Sequence, residues 1–307
     1  MRTLLYPACA MLVALGLTAC SINVGGWPGA FGSDKPHNRS QKTVNLNADH
    51  VPGSAVEIRT KNGRIELVAV PQRTDVSIKA EIFARGETME DAEQRLAAIT
   101  IEVSRRSDGT LVIEPNFPKP GRSGDGASIV VEVPDVSRAA LKTSNGSVYA
   151  SGLTGTLDID TSNGAVEVFG HVGDADLNTS NGSITVDDHV GSLAVDTSNG
   201  AVRITHVDGA VKAGTSNGSI AVTLHKDQAG PVNLDTSNGP ITVRVGPGFA
   251  GAVRLDTSNG RVNVRDHAGN ISSQSISKTR GRIVVGEGGA PSRLDTSNGT
   301  IRFTIGG

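Results

Sequence analysis

The sequence predicts an all-β fold: a parallel single-stranded β-helix of about nine coils of 18–21 residues, preceded by a β-rich cap with one helix. The first observation is that Thr-Ser-Asn-Gly occurs eight times, at intervals of 18 or 21 residues apart from one interval of 39. The second is a β-branched residue at a constant position after every motif. The third is composition, since 38 glycines stand against only nine aromatic residues, too few for a large aromatic core. We expect the solenoid to be right-handed.

The overall composition is that of a folded protein with no affinity for nucleic acid. Apolar residues other than glycine make up 37% of the chain, which is too many for a disordered polypeptide. The 29 basic residues are balanced by 31 acidic residues, giving a formal net charge of -2. Nucleic-acid binding is therefore not expected, because it relies on a basic surface.

The first 19 residues have the features of a secretory signal peptide. The apolar stretch from Leu4 to Leu17 is too short to span a bilayer and has the length of a signal-peptide core. It ends in Leu17-Thr18-Ala19-Cys20, which resembles the lipobox of bacterial lipoproteins. The resemblance implies a diacylglyceryl group on Cys20, cleavage before it, and further acylation such as palmitate. The alternative is an ordinary secretory signal with a chance cysteine.

Residues 20–42 are predicted to be a lipidated cysteine followed by a flexible tether, because Gly and Pro interrupt any periodicity. Acyl chains on one N-terminus are sufficient for stable membrane attachment. By the sorting pattern of such lipoproteins, Ser21 in place of Asp favours the outer membrane. Whether the chain faces the periplasm or the cell surface stays open.

Residues 43–138 show a less regular alternation of apolar and polar residues and are predicted to form the cap. Within them, Thr88 precedes apolar Met89, Ala92 and Leu96, and acidic residues occupy the first turn, a pattern typical of an amphipathic helix. A cap is needed because an open solenoid end exposes unpaired strand edges. We expect no comparable cap at the C-terminal end.

Residues 139–307 are predicted to be the solenoid, with two short strands per coil. The constant β-branched column after each Gly is Val148, Val166, Ile184, Val202, Ile220, Ile241, Val262, Ile283 and Ile301. Ile283 belongs to this column because it follows a degenerate motif, Lys278-Thr279-Arg280-Gly281, by two residues. This motif predicts a ninth coil. Asn-Gly could instead form hairpin turns, but identical columns at a fixed period favour parallel stacking.

The motif residues predict a structural ladder at one corner of each coil. Alternation places the threonines inward, with an asparagine two residues further along. We expect Thr hydroxyls and Asn amides to satisfy buried backbone groups through hydrogen bonds between coils. The candidate ladder residues are Thr161, Asn163, Thr179, Asn181, Thr197, Asn199, Thr215 and Asn217. An outward threonine array that matches an ice lattice is the alternative.

Two further columns contain residue types that can bind metal ions, but neither column is expected to form a metal site. Aspartates precede many motifs, but neutral residues separate most of them, and the Gly-Gly-x-Gly-x-Asp calcium pattern is absent. Five histidines fall nine or ten residues after their motifs and are expected to be solvated at a corner: His171, His189, His206, His225 and His267. Their spacing lacks the mixed ligand set that identifies a metal centre. No cofactor is expected.

The repeated Thr-Ser-Asn-Gly-x-(Ile/Val)-x-(Val/Ile) block resembles the bacterial putative-adhesin family of β-strand-repeat domains of unknown function. The resemblance covers about residues 43–307 and implies an envelope protein with a parallel β-helix. It supplies no catalytic residues, and common hydrolase and phosphate-binding motifs are absent from the sequence.

The leading functional hypothesis is a lipid-anchored, non-catalytic binding or structural protein of the bacterial envelope. Its partners would be the membrane, through the acyl chains, and a protein or polysaccharide of the envelope. One alternative is a periplasm-facing accessory to envelope-stress signalling. The other is a β-helix carbohydrate-active enzyme, which would need carboxylates clustered in a cleft.

Overall fold

The computed structural model describes residues 21–24, 38–228 and 230–306, and of residues 21–24 the backbone alone. The predicted signal peptide, Cys20 and residues 25–37 of the predicted tether lie outside the described residues. Among the described residues, no helix is long and apolar enough to cross a membrane.

The N-terminal part of the described chain contains eight strands and one helix. In chain order they are β1 (Ser21–Val24), β2 (Asn38–Asp49), β3 (Ala55–Arg59), β4 (Ile65–Ala69), β5 (Asp75–Gly86), α1 (Met89–Ala98), β6 (Thr100–Arg105), β7 (Leu111–Asn116) and β8 (Gly126–Val133). Strand β1 and the first residues of β2 lie inside the segment 20–42 predicted as tether, and the two strands pair with each other, so regular structure starts before the boundary expected at residue 43.

The remaining strands are short and follow one another at the period of the motif. They are β9 (Arg138–Thr143), β10 (Val148–Ser151), β11 (Thr156–Thr161), β12 (Val166–Val172), β13 (Ala175–Thr179), β14 (Ile184–Val190), β15 (Leu193–Thr197), β16 (Val202–Asp208), β17 (Val211–Thr215), β18 (Ile220–Leu224), β19 (Val232–Thr236), β20 (Ile241–Val245), β21 (Gly251–Thr257), β22 (Val262–Asp266), β23 (Ile271–Ile276), β24 (Arg280–Val285), β25 (Ser292–Thr296) and β26 (Ile301–Ile305).

These strands form two 13-stranded sheets. The first sheet has the order β1-β2-β5-β8-β4-β10-β12-β14-β16-β18-β20-β26-β22, and the second has the order β23-β24-β21-β25-β19-β17-β15-β13-β11-β9-β3-β7-β6. Consecutive coils pair in parallel and in register, so that Val148 lies opposite Val166 and Leu157 opposite Ala175. The predicted parallel β-solenoid is therefore confirmed.

The order in which coils stack differs from chain order at both ends. The coil β25–β26 lies between the coils β19–β20 and β21–β22. Likewise, β3–β4 lies between β7–β8 and β9–β10. The region predicted as a separate cap thus contributes two coils to the solenoid itself, and the variant motif Thr60-Lys61-Asn62-Gly63 forms one of the stacked corners.

The degenerate motif at residues 278–281 does not form a coil, so its assignment as the ninth coil was wrong. It lies at the turn of an antiparallel hairpin, β23–β24, and β24 pairs antiparallel with β21. The Ser277 N–H donates to the Arg280 carbonyl at 2.8 Å and closes a tight turn. At the equivalent position of the other motifs, the chain continues into the next strand of the coil. This hairpin covers the C-terminal end of the second sheet, which the sequence had been expected to leave open.

Antiparallel strands also cover the N-terminal end, where β5 pairs with β8 and β6 pairs with β7. The predicted helix is confirmed as Met89–Ala98, with Thr88 Oγ1 accepting from the Asp91 N–H at the N-cap. Its buried residues are Ala92 and Leu96, whereas Met89 is about half exposed and lies outside the apolar face expected for it.

The core is one continuous layer of aliphatic side chains between the two sheets, running the whole length of the solenoid. Glycine completes each motif because the coils approach too closely for a side chain. A Cβ on Gly164 would lie 1.7 Å from the carbonyl oxygen of Gly146 in the preceding coil. Two buried rings, Phe249 and Phe303, add bulk near the C-terminal end, with centroids 5.7 Å apart.

Candidate functional site

The motif threonines form a buried ladder along one corner of the solenoid. Their hydroxyls donate to the motif-glycine carbonyl of the neighbouring coil at 3.0–3.1 Å in four successive coils: Thr161 to Gly146, Thr179 to Gly164, Thr197 to Gly182 and Thr215 to Gly200. All four side chains are buried. Each bond satisfies a carbonyl that the tight corner leaves without a strand partner, which is a structural role.

The motif asparagines form a second ladder on the exposed side of the same corner. Each Nδ2 donates to the Oδ1 of the preceding asparagine, from Asn163 to Asn145 (2.7 Å), Asn181 to Asn163 (2.7 Å), Asn199 to Asn181 (2.8 Å) and Asn217 to Asn199 (3.0 Å). The ladder passes from Asn238 through Asn298 to Asn259, following the stacking order of the coils.

The aspartate column differs from the sequence expectation at its C-terminal end. Stacking order brings Asp235, Asp295 and Asp256 onto three adjacent strands with no neutral residue between them. Two of the carboxylates are ion-paired, because Arg254 contacts Asp256 at 2.5 Å and Arg293 contacts Asp295. These arginines offset the repulsion between like charges, the role expected of interleaved neutral residues.

The histidines at 171 and 189 are buried, so the expectation that they are solvated was wrong. Both lie on the inner side, with exposures of 1% and 0%, in a column whose other members include Val207. Their Nδ1 atoms lie 3.2 Å apart, and the ring planes are within 14° of parallel. The Nε2 atoms of both rings are buried without a hydrogen-bond partner in the described part of the chain.

This geometry makes the two imidazoles a neutral pair. One Nδ1 must donate a proton and the other must accept it, so the two rings adopt different tautomers. Burial and the neighbouring His189 lower the pKa of His171 from 6.5 to about 4. Burial likewise lowers the pKa of His189. The pair is therefore uncharged at neutral pH.

The other three histidines of the column are exposed, as expected. His206 has a left-handed backbone, with φ of 53°, and its Nδ1 lies 2.8 Å from Asp187 Oδ1. Thr205 Oγ1 donates to the same carboxylate oxygen at 2.6 Å. These hydrogen bonds lower the pKa of Asp187. Within the described residues, no three His, Cys, Asp or Glu side chains are arranged to hold a metal ion.

A shallow basin of about 450 Å³ lies on the outer face of the second sheet, near the N-terminal end. It contains the buried carboxylate Glu57, which forms ion pairs with Arg59 and, at 2.6 Å, with Arg106. Arg138 and Asp158 form another pair there, at 2.6 Å. Its charged groups largely neutralise one another, as in a structural ion-pair network.

Two aromatic residues project from the outer face of the first sheet, which the sequence had not singled out. Tyr149 and Phe169 are half-buried on neighbouring strands, and their ring centroids lie 5.6 Å apart. The guanidinium of Arg64 lies 5.7 Å from the Tyr149 centroid and contacts Glu66 at 3.0 Å. The sequence signal was available, because both aromatics occupy outward positions of the period-two alternation.

Comparisons with known proteins identify a family for this chain. The family described as Toastrack DUF4097 matches residues 53–304. A search of curated proteins finds no match. Among solved structures, a putative adhesin from Bacteroides fragilis is 14% identical, with 86% of this chain and 96% of that chain covered and a TM-score of 0.46. A putative adhesin from Parabacteroides distasonis is 11% identical, with 85% and 96% covered and a TM-score of 0.40. From its family match, the chain belongs to the Toastrack DUF4097 family of β-repeat domains.

Proposed function

We propose that this protein is anchored in the outer membrane of a bacterial envelope by acyl chains on Cys20 and that its solenoid is a non-catalytic binding scaffold. The observation that carries the proposal is the pair of long outer faces, each formed by 13 strands in one continuous sheet. Extended regular faces of this kind suit extended partners, whereas the inner faces are filled by the aliphatic core.

The anchoring part of the proposal rests on the lipobox-like sequence Leu17-Thr18-Ala19-Cys20. The strand β1 begins directly after Cys20 and pairs with β2 at the N-terminal end of the first sheet. Acyl chains on Cys20 would therefore hold the solenoid by that end and leave the β23–β24 hairpin at the far end. No transmembrane helix is required, since acyl chains provide the membrane affinity.

The binding role rests on how the charged groups are used. In the basin of the second sheet, Glu57 is the buried carboxylate and is held by Arg59 and Arg106. Asp158 is paired with Arg138, and Asp108, Asp160 and Asp176 are exposed to solvent. General acid catalysis by a carboxyl group usually relies on one that is shielded from water and free to exchange its proton with a substrate, and the shielded carboxylate here is ion-paired. The half-buried rings of Tyr149 and Phe169 on the outer face are instead the kind of side chain that supports recognition.

Anchoring can be tested by growing cells with an alkyne-labelled palmitate and following the full chain. The wild-type protein should carry the label and sediment with the outer membrane. Cys20→Ala should be unlabelled, and Cys9→Ala is the matched control that should keep the label. A labelled Cys20→Ala protein, or an unlabelled wild type, would overturn the lipid anchor.

Binding can be tested with the chain from residue 20 onward carrying Cys20→Ser, which removes the acylation site. This soluble form should sediment with isolated cell envelopes in a saturable manner, because binding is independent of the anchor. Failure to bind envelopes at any protein concentration would contradict the scaffold role.

A further inference from the structure

Tyr149 and Phe169 lie on the outer face of the first sheet, three strands away from Phe83 on β5, which is the other outward-facing aromatic residue among the described residues of that sheet. Each ring belongs to a column of outward-facing residues that lie opposite one another on successive strands. From β14 to β22, the described residues of both columns are polar or small: Thr185, Arg203, Ala221, Thr242, Arg302 and Asn263 in the column of Tyr149, and Asp187, Thr205, Thr223, Arg244, Thr304 and Arg265 in the column of Phe169. The other aromatic residues of the described chain lie in the core or in the N-terminal part. The pair is thus a local feature.

The two rings are held rigidly by the sheet. Tyr149 belongs to β10 and Phe169 to β12, which pair in parallel, so neither backbone can move independently. Their centroid distance of 5.6 Å and interplanar angle of 35° join the rings into one surface across two coils. A preformed aromatic surface loses little conformational entropy when it binds a ligand.

Polar side chains enclose each ring along its own column. Tyr149 lies between Glu66 and Glu167 on the adjacent strands. Phe169 lies between Ser151 and Asp187. The exposed aliphatic residues of the same strands, Val172 and Val190, lie beyond the left-handed residues Gly170 and Asp188. The aromatic area itself is limited to the two rings, which is much smaller than the apolar centre of a stable protein–protein interface.

A donor and an acceptor lie beside the aromatic surface. The half-exposed Arg64 guanidinium lies over the Tyr149 ring, 5.7 Å from its centroid, and contacts the carboxylate of Glu66 at 3.0 Å. Together these two groups can donate to and accept from neighbouring hydroxyl groups. The bordering carboxylates Glu167 and Asp187 would repel an anionic ligand.

From this arrangement we propose that Tyr149 and Phe169, with Arg64 and Glu66, form a binding platform for the neutral hexopyranose rings of a glycan. The C–H groups on the apolar face of a pyranose carry partial positive charge and pack against the negative face of an aromatic ring. Its hydroxyl groups at the ring edge match the arginine–glutamate pair. The inference rests on the proposed binding function and names its ligand class.

Tyr149 supplies its own spectroscopic probe, because the only other tyrosine in the sequence is Tyr6, in the predicted signal peptide. The Cys20→Ser chain from residue 20 onward can be labelled with 3-fluorotyrosine and titrated with chitohexaose, maltohexaose and mannohexaose. At least one of these neutral glycans should shift the single fluorine resonance in a saturable manner, and polygalacturonate should not. No shift with any of the three would overturn the platform.

Substitutions of the two aromatic residues then test their roles. The dissociation constant of each variant is measured by calorimetry with the glycan that shifts the fluorine resonance of the parent chain. Tyr149→Ala and Phe169→Ala should each weaken binding by about tenfold, the size of one lost aromatic contact. Tyr149→Phe should retain most of the affinity, because it keeps the ring. Thr242→Ala, in the same column five strands away, is the matched control and should bind like the parent chain.

The inference and the proposed function can fail separately. If the parent chain binds envelopes but Tyr149→Ala and Phe169→Ala bind them equally well, the platform is wrong and the scaffold stands. If the parent chain binds no envelope fraction, the scaffold itself is contradicted. Thermal unfolding of each variant should match the parent, since both side chains are on the outer face; a misfolded variant is replaced by Tyr149→Ser or Phe169→Ser.

Discussion

At the scale of single residues, the buried histidine pair is the feature least expected from the sequence. The signal was present, because His171 and His189 share a register column with the aliphatic residues Val207 and Leu224. Their position nine or ten residues after the motif predicts a solvated corner, and this prediction is wrong because both side chains are buried. The left-handed residues Gly170 and Asp188 precede them and turn the side chains inward, a local backbone change that period-two alternation does not contain.

The pair predicts that stability falls in mild acid. The folded-state pKa of His171 is lowered to about 4 by burial and by His189. The unfolded chain, with a pKa near 6.5, therefore binds more protons than the folded chain between these two values. Stability should be fully present above pH 6.5 and should decline by about 3 kcal/mol as the pH falls to 4.

Urea unfolding measured across this pH range checks the histidine prediction. The double variant His171→Leu and His189→Leu, which extends the aliphatic column, should show a much smaller decline below pH 6.5. The matched control His225→Leu changes an exposed histidine and should decline like the parent. A parent chain whose stability is constant from pH 6.5 to 4 would show that the pair is not buried and neutral.

The threonine ladder gives a second prediction at this scale. Thr197→Val keeps the shape of the side chain but removes the hydroxyl that donates to the Gly182 carbonyl at 3.0 Å. The free energy of unfolding should fall by about 1–3 kcal/mol, because the carbonyl loses its partner in a buried corner. Thr197→Ser should retain most of the stability, and chemical denaturation compares the two. Equal losses in both variants would assign the effect to packing.

At the scale of elements, the sequence predicts best the strands in which an apolar residue recurs at the same position after each motif. Val148, Val166 and Ile184 are each apolar two residues after a motif glycine, and they lie opposite one another in the structure. The hairpin β23–β24 is not predicted from sequence, because Ile283 fits the column and Gly281 fits the motif, although the three preceding residues of the motif differ. Local spacing alone could not show that the chain reverses at Ser277.

The hairpin predicts different effects for two neighbouring residues. Ile283 is buried against the end of the core, whereas Val284 points outward and is 39% exposed. Ile283→Asp should undock the hairpin and expose the edge of β21, so the protein should self-associate with increasing concentration. Val284→Asp should remain monodisperse, as seen by light scattering. Two monodisperse variants would contradict the capping role of the hairpin.

At the scale of the whole molecule, the two-sheet solenoid follows from sequence, but the stacking order of its terminal coils does not. The loops are long enough for a coil to stack either directly on the coil that precedes it in sequence or on the far side of another coil. Both arrangements bury the same apolar columns. The interval of 39 residues before Thr296 fits an additional coil that begins at the degenerate motif, but it also accommodates a hairpin and a return of the chain. Tertiary packing decides between them.

The stacking order determines which side chains form the ladders and how both ends are closed. Coil β25–β26 separates β19–β20 from β21–β22, and the asparagine ladder follows this order. The central claim is therefore a single continuous solenoid whose last coil is inserted between two earlier ones. Cysteine pairs in the asparagine ladder report directly on this order.

The measurement is disulfide formation in the Cys20→Ser chain from residue 20 onward, which contains no other cysteine. Asn238→Cys with Asn298→Cys should oxidise readily to an intramolecular disulfide, because the two amide groups contact each other at 2.8 Å. Asn238→Cys with Asn259→Cys should stay reduced, since the inserted coil lies between them. A disulfide in the second pair and none in the first would contradict the inserted coil and restore chain order.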